Sequence, residues 1–181
     1  MHNKFLVVDR RYTWLGSTNF SGTGVGREYN ANTSIMIDSP TLAKLYANEF
    51  HQMFAKKRFS LYKTPRSRRS PLEYRDGTKV QVYFSPQDNT LEAAILPFIE
   101  RAERKLAIAM FYLTDERVGD ALIAASQRGV NVQLIYDALA AAHPSTLHHR
   151  LRAHGIEVRV ENWGGKMHMK TAIADSSDVL I

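Results

Sequence analysis

The 181-residue sequence has no cysteine, which excludes disulfides and thiolate metal sites. It also has no apolar run of about 18 residues or more, so no single stretch reads as a transmembrane helix. The opening residues lack the pattern of a secretory signal. A motif begins at residue 2, however, and the sequence reads as a window cut from a longer chain. The missing signal therefore assigns no compartment. Acidic residues are in deficit, 18 Asp and Glu against 24 Lys and Arg, giving a net charge of +6. Apolar residues are present in ordinary measure, enough for a real core. The length fits one domain, or parts of two repeated ones.

The excess positive charge is local. Lys56, Lys57, Arg58, Lys63, Arg66, Arg68, Arg69, Arg75 and Lys79 face only Glu73 and Asp76 between residues 56 and 79. Such a cluster suits nucleic-acid phosphates or an anionic membrane surface. Interleaved with Thr64-Pro65, Ser67 and Ser70-Pro71, it reads equally as a solvated linker.

A short pattern occurs twice. Met1 to Asp9 reads M-H-N-K-F-L-V-V-D, and Met167 to Asp175 reads M-H-M-K-T-A-I-A-D, so the skeleton H-x-K-x4-D recurs between His2 and His168. An internal repeat governs the reading of everything else. Phe5 to Val8 is a β-prone apolar run, and in a strand residues i and i+2 face the same way. His2 and Lys4 then project together, as do His168 and Lys170. Each pair sets an imidazole, a nucleophile or proton carrier near neutral pH, beside a fixed positive charge. A turn at residues 9–12 leads to a second strand reaching Gly16-Ser17-Thr18-Asn19. Pairing Asp9 with Tyr12 predicts Lys4 opposite Ser17 and His2 opposite Asn19, one patch able to cradle a phosphate. Gly16 permits close backbone approach.

These residues resemble the phospholipase D superfamily, whose signature H-x-K-x4-D-x6-G-S-x-N is matched by His2, Lys4, Asp9, Gly16, Ser17 and Asn19. The second copy matches at His168, Lys170 and Asp175, and its G-S-x-N part would begin one residue past Ile181. The resemblance implies a phosphodiesterase working through a phosphohistidine, with His2 as nucleophile and His168 as general acid and base. Lys4, Lys170 and Asn19, assisted by Ser17, would bind the non-bridging phosphate oxygens. It calls for no cofactor and no metal. Asp9 and Asp175 belong to the signature but lie at the far strand ends, where orienting contacts are expected. In relatives a glutamate near position 28 orients a histidine, which makes Glu28 a candidate beside its reading as a surface carboxylate.

The rest of the chain alternates strand and helix. Strands are predicted over 31–37, 80–84, 106–112, 130–136 and 156–160. Helices are predicted after Ser39-Pro40, after Asp88 or Asn89, after Thr114 or Asp115, and over 145–154. Pro97 falls inside one of them, where it kinks the helix or marks a different start. His143, His148 and His149 have no carboxylate at helical spacing and give no metal site. This alternation argues an α/β fold with a largely parallel sheet covered by helices; the resemblance implies that it is phospholipase D-like, with mixed, largely parallel sheets flanked by helices and two pseudo-twofold-related repeats, each incomplete. The expected segments are 1–58 from the first repeat, 59–79 as basic linker, and 80–181 from the second. Nucleic acid leads as substrate on charge. Phospholipid hydrolysis or phosphatidyl transfer is the alternative, and a catalytically silent nucleic-acid- or membrane-binding piece is the third reading. No feature marks an obligate protein partner.

Overall fold

The computed structural model describes residues 2–25, 29–64 and 70–181. Glu28 and the arginines Arg66, Arg68 and Arg69 of the basic stretch lie outside the described residues. In chain order the strands are β1 (Phe5–Val8), β2 (Tyr12–Gly16), β3 (Asn30–Ala31), β4 (Ser34–Asp38), β5 (Leu72–Glu73), β6 (Lys79–Val80), β7 (Lys105–Met110), β8 (Asn131–Asp137), β9 (Glu157–Glu161), β10 (Lys166–Met167), β11 (Lys170–Ala174) and β12 (Asp178–Leu180). The α-helices are α1 (Gly22–Val25), α2 (Pro40–Phe54), α3 (Leu96–Arg101), α4 (Glu116–Gln127), α5 (Ala138–Ala141) and α6 (His148–Ala153). Two compact units result, one from Met1–Leu15 and Ile35–Ala94, the other from Gly16–Ser34 and Ile95–Ile181. Each draws on chain from both sides of the basic stretch.

In the first unit β2 lies between β1 and β4. Helix α2 starts where the sequence asks for it: Ser39 Oγ accepts from Leu42 N, and Pro40, with no N–H to lose, opens the first turn. Its Leu42 is fully buried with Leu72, Val82 and Phe84, and Tyr46 packs edge-on to Phe5 and Phe84 at 5.0 and 5.1 Å. The predicted strand over 80–84 is a strand only at Lys79–Val80, paired with Leu72–Glu73. Beyond it Val82 and Phe84 enter the core, and the Phe84 N–H is taken by the Asp88 carboxylate at 2.8 Å, which leaves no ladder to extend.

The second unit holds a five-stranded sheet in the order β12-β11-β7-β8-β9. β7, β8 and β9 run parallel, and β11 is antiparallel to both β7 and β12. Helices α4 and α6 supply the crossovers that parallel neighbours require. Leu106, Leu122, Leu134 and Leu151 form the centre of the core. Pro97 does mark a different start: a wider π-type turn over Leu91–Ile95 precedes α3, and the proline sits at the second position of that helix, where its missing N–H costs nothing. The predicted helix over 145–154 is regular only from His148.

The two copies of the repeated pattern form the same hairpin. Asp9 and Arg10 take φ of 52° and 53°, and Asp175 and Ser176 take 52° and 64°. Arg11 N donates to Val8 O and Ser177 N to Ala174 O, the geometry of a turn with two left-handed central residues. Leu6 faces Trp14 in one hairpin and Ala172 faces Leu180 in the other, the same register 166 positions apart (172 against 6, 180 against 14). This corrects the expected register, since Val8 and not Asp9 lies opposite Tyr12. Asp9 belongs to the turn, so the partners of the strand shift by one. The predicted pairings of Lys4 with Ser17 and of His2 with Asn19 do not form.

Candidate active site

His168 follows β10, the short strand that runs parallel to β3, with Lys166 beside Asn30 and Met167 beside Ala31. His168 N donates to Ala31 O at 2.9 Å, which fixes the backbone at the histidine. Gly165 makes the approach possible, because a Cβ there would fall 1.4 Å from Tyr29 O. Asp137 holds the same strand from the other side. It is buried at the end of β8, where Oδ1 accepts from Leu139 N and Ala140 N and Oδ2 from Met167 N at 2.8 Å. The bonds to Leu139 N and Ala140 N make Asp137 the N-cap of α5.

The imidazole is anchored at Nδ1. His168 Nδ1 lies 3.1 Å from Ser17 O and 3.0 Å from Asn32 Oδ1. A backbone carbonyl can only accept, so Nδ1 carries the proton and Nε2 is the lone-pair nitrogen of the neutral ring. The Ser17 hydroxyl supports the arrangement: it donates to Asn32 Oδ1 and accepts from Thr33 N, both at 3.0 Å. Ser17 is buried, and these bonds make it a support for Asn32. Gly16 lets the strand come this close, with φ of 147° and only 2.1 Å between a built Cβ and Thr33 O. Asn19 is exposed.

Lys170 Nζ donates to the His168 carbonyl at 2.7 Å and stands 5.0 Å from the centre of the Phe111 ring. Phe111 also packs 5.3 Å from the His168 ring, so one aromatic side chain spaces the cation and the imidazole. The first copy repeats the local bond: Lys4 Nζ donates to His2 O at 2.7 Å. Burial lowers the pKa of the Lys4 ammonium. His2 is exposed. Asn3, between them, makes a long 3.5 Å contact to Glu49 Oε1.

Asp175 lies in the hairpin turn that follows β11. Its carboxylate accepts from Glu103 N, Arg104 N and Lys105 N at 2.8–2.9 Å, stapling the turn to the start of β7. Those three N–H donors hold its carboxyl below the usual carboxylate range. Asp9, in the matching turn, is exposed.

Within the second unit the structure therefore joins Ser17, His168 and Lys170, and adds Asn32 and Phe111, which the sequence reading did not single out. Phe111 sits at a strand end, where functional residues of α/β sheets collect, and that signal was available. Among the described residues no cluster of three or more His, Cys, Asp or Glu side chains suits a metal ion.

The same chain matches the family described as cardiolipin synthase, PLD-like domain, over residues 1–54 and 95–181. No curated protein matches it. Among solved structures, phosphatidylserine synthase from Haemophilus influenzae Rd KW20 is similar over 97% of this chain and 52% of its own, at 14% identity and a TM-score of 0.63. Polyphosphate kinase from Porphyromonas gingivalis is similar over 99% of this chain and 29% of its own, at 17% identity and a TM-score of 0.51. Nuc from Salmonella typhimurium, a phospholipase D family member, aligns over 50% of this chain and 60% of its own, at 24% identity and a TM-score of 0.46. The chain thus spans less than two thirds of each.

Proposed function

Because the chain belongs to the phospholipase D superfamily, a superfamily of phosphodiesterases and transferases, we propose that its two His-x-Lys units cleave a phosphodiester through a phosphohistidine without a metal ion. The observation that carries this reading is the anchoring of His168 at Nδ1 by two neutral acceptors. Such acceptors serve the ring in both charge states. The Nδ1 proton stays in place while Nε2 first gives a proton to the leaving oxygen and later takes one from water.

In this scheme His2 attacks phosphorus, and a P–N bond forms as the P–O bond to the leaving group breaks. Water then attacks phosphorus, loses its proton to His168, and releases His2. Splitting one displacement into two lowers each barrier. Lys4 and Lys170, each tied to the carbonyl of its own histidine, supply the positive charge for the non-bridging oxygens. Asn19 adds a neutral donor. Asp9 and Asp175 shape the hairpin turns. The identical hairpins support reading 1–58 and 80–181 as pieces of two repeats, with the basic stretch 59–79 between them.

Nucleic acid is the first substrate on charge. Phospholipid hydrolysis or transfer is the second reading, and two observations favour it. Lys63 is withdrawn from the basic stretch into a buried ion pair with Glu49, and Leu61 and Tyr62 beside it are highly exposed. The test offers single-stranded DNA and phosphatidylcholine vesicles, in chelator, to the chain and to His168→Ala. Cleavage by the unaltered chain alone is expected, and the cleaved substrate identifies the class. Equal cleavage by His168→Ala, or cleavage that chelator abolishes, refutes the mechanism.

A further inference from the structure

Helix α2 ends in a compact knob whose apolar side chains point into solvent. Phe54 is 75% exposed, Leu61 83% and Tyr62 82%, and Phe59 is nearly half exposed. Lys56 and Lys57 lie between these residues and are exposed as well. Large apolar side chains grouped on a soluble surface mark an interaction site.

The exposure does not come from a loose loop. Arg58 N donates to Gln52 O at 2.9 Å, and Thr64 N donates to the Gln52 side-chain oxygen at 2.8 Å, so both ends of the segment are tied to one buried glutamine. Lys63 closes the base through its 2.5 Å ion pair with Glu49. Tyr62 N returns to Phe59 O at 3.0 Å, making the tip a tight turn. Lys57 and Ser60 both take left-handed φ, of 51° and 52°, a conformation that non-glycine residues keep only where surrounding bonds enforce it. The fold thus holds exposed apolar side chains and two exposed lysines, which form its cationic collar along the chain, on one anchored segment.

We propose that this knob docks the protein on an anionic lipid surface. Aromatic and aliphatic side chains would enter the interfacial layer while the lysines pair with acidic head groups. The aliphatic tip decides against a stacking platform for single-stranded nucleic acid, because Leu61 has no ring face to offer a base. The ring of Phe54 is already stacked on Phe50 at 5.2 Å. The positive collar decides against an ordinary protein contact, whose core is depleted of lysine. This docking does not depend on which phosphodiester is cleaved.

The test is co-sedimentation of the full chain with vesicles of equal parts phosphatidylcholine and phosphatidylglycerol, and with phosphatidylcholine alone. The chain is expected to bind the anionic vesicles and to be released by salt. Leu61→Ser with Tyr62→Ser is expected to weaken binding at least about tenfold, the effect of losing two buried apolar side chains. Lys56→Glu with Lys57→Glu is expected to weaken it at least as much. All four positions are exposed, so circular dichroism and melting should match the unaltered chain. Failure of the chain to bind anionic vesicles overturns the proposal, as does binding by either variant equal to that of the unaltered chain. If the apolar substitutions instead abolish binding of a single-stranded oligonucleotide, or self-association in sedimentation, without vesicle binding, the knob serves another partner and the proposal falls. The readout is binding, so a failed cleavage assay leaves it unaffected.

Discussion

Replacing Asn32 by Asp puts a carboxylate where a neutral amide now meets His168, and the consequence can be worked out. The Asn32 oxygen stands 3.0 Å from Nδ1. A carboxylate there would sit roughly 4 Å from the ring charge, and at an effective dielectric constant of about 20 the attraction is about 4 kcal/mol. Desolvation of the new charge takes back part of this, and an opposite charge at such range raises a histidine pKa by about 1–3 units. The expected rise at His168 is therefore about 1–2 units, or roughly 1.4–2.7 kcal/mol favouring the imidazolium. The Ser17 hydroxyl can still donate to the new side chain, whereas the long 3.4 Å bonds from Asn32 Nδ2 to Gly24 O and Asn30 O are lost. The assay is an NMR titration of the histidine ring resonances, assigned with His168→Gln. In a cleavage assay the alkaline limb of the pH profile should move upward with the pKa, because only the protonated ring has an Nε2 proton to give the leaving oxygen. A His168 pKa unchanged or lowered in Asn32→Asp would refute the orienting role assigned to Asn32.

Two further predictions concern the frame of the fold. Lys63→Ala leaves Glu49 buried without its cation and should cost about 3–5 kcal/mol in chemical denaturation, while joint replacement by Leu and Met should cost far less; equal losses would refute the pairing argument. The carboxyl of Asp175 is held low in the folded chain, so its contribution is complete above about pH 4 and disappears as pH falls through the lowered native value. Asp175→Asn should melt earlier at neutral pH and show a flatter decline in acid. Parallel melting profiles from pH 7 to pH 3 would show that the three N–H bonds add nothing.

The parts of the site legible in the sequence are those fixed by local spacing. H-x-K places each lysine beside its histidine because a strand alternates, and Ser39-Pro40 starts α2 because a cap and a proline meet there. The hairpin register was missed by one residue, because nothing in the spacing says that Asp9 and Arg10 both turn left-handed. Asn32 was missed for a different reason. It follows a stretch whose glycines give no pairing signal in the sequence, and only tertiary pairing of β3 with β10 brings it to His168. Lys63 looked like one more linker cation, yet Glu49 falls in the same helical column as Leu42, Leu45 and Met53. A carboxylate in an apolar column needs a buried partner, and that signal was available in the sequence.

The hydrogen bond between His168 and the Ser17 carbonyl links residues 151 positions apart. In a free imidazole the proton prefers the other nitrogen, so an unfolded chain would present a ring with its lone pair on the wrong side. The side of the ring on which this histidine carries its lone pair is thus set by tertiary closure and is not a property of the amino acid. Its tautomer, read by nitrogen chemical shifts, should switch together with unfolding, and would serve as a built-in reporter of whether Ser17 and Asn32 are seated.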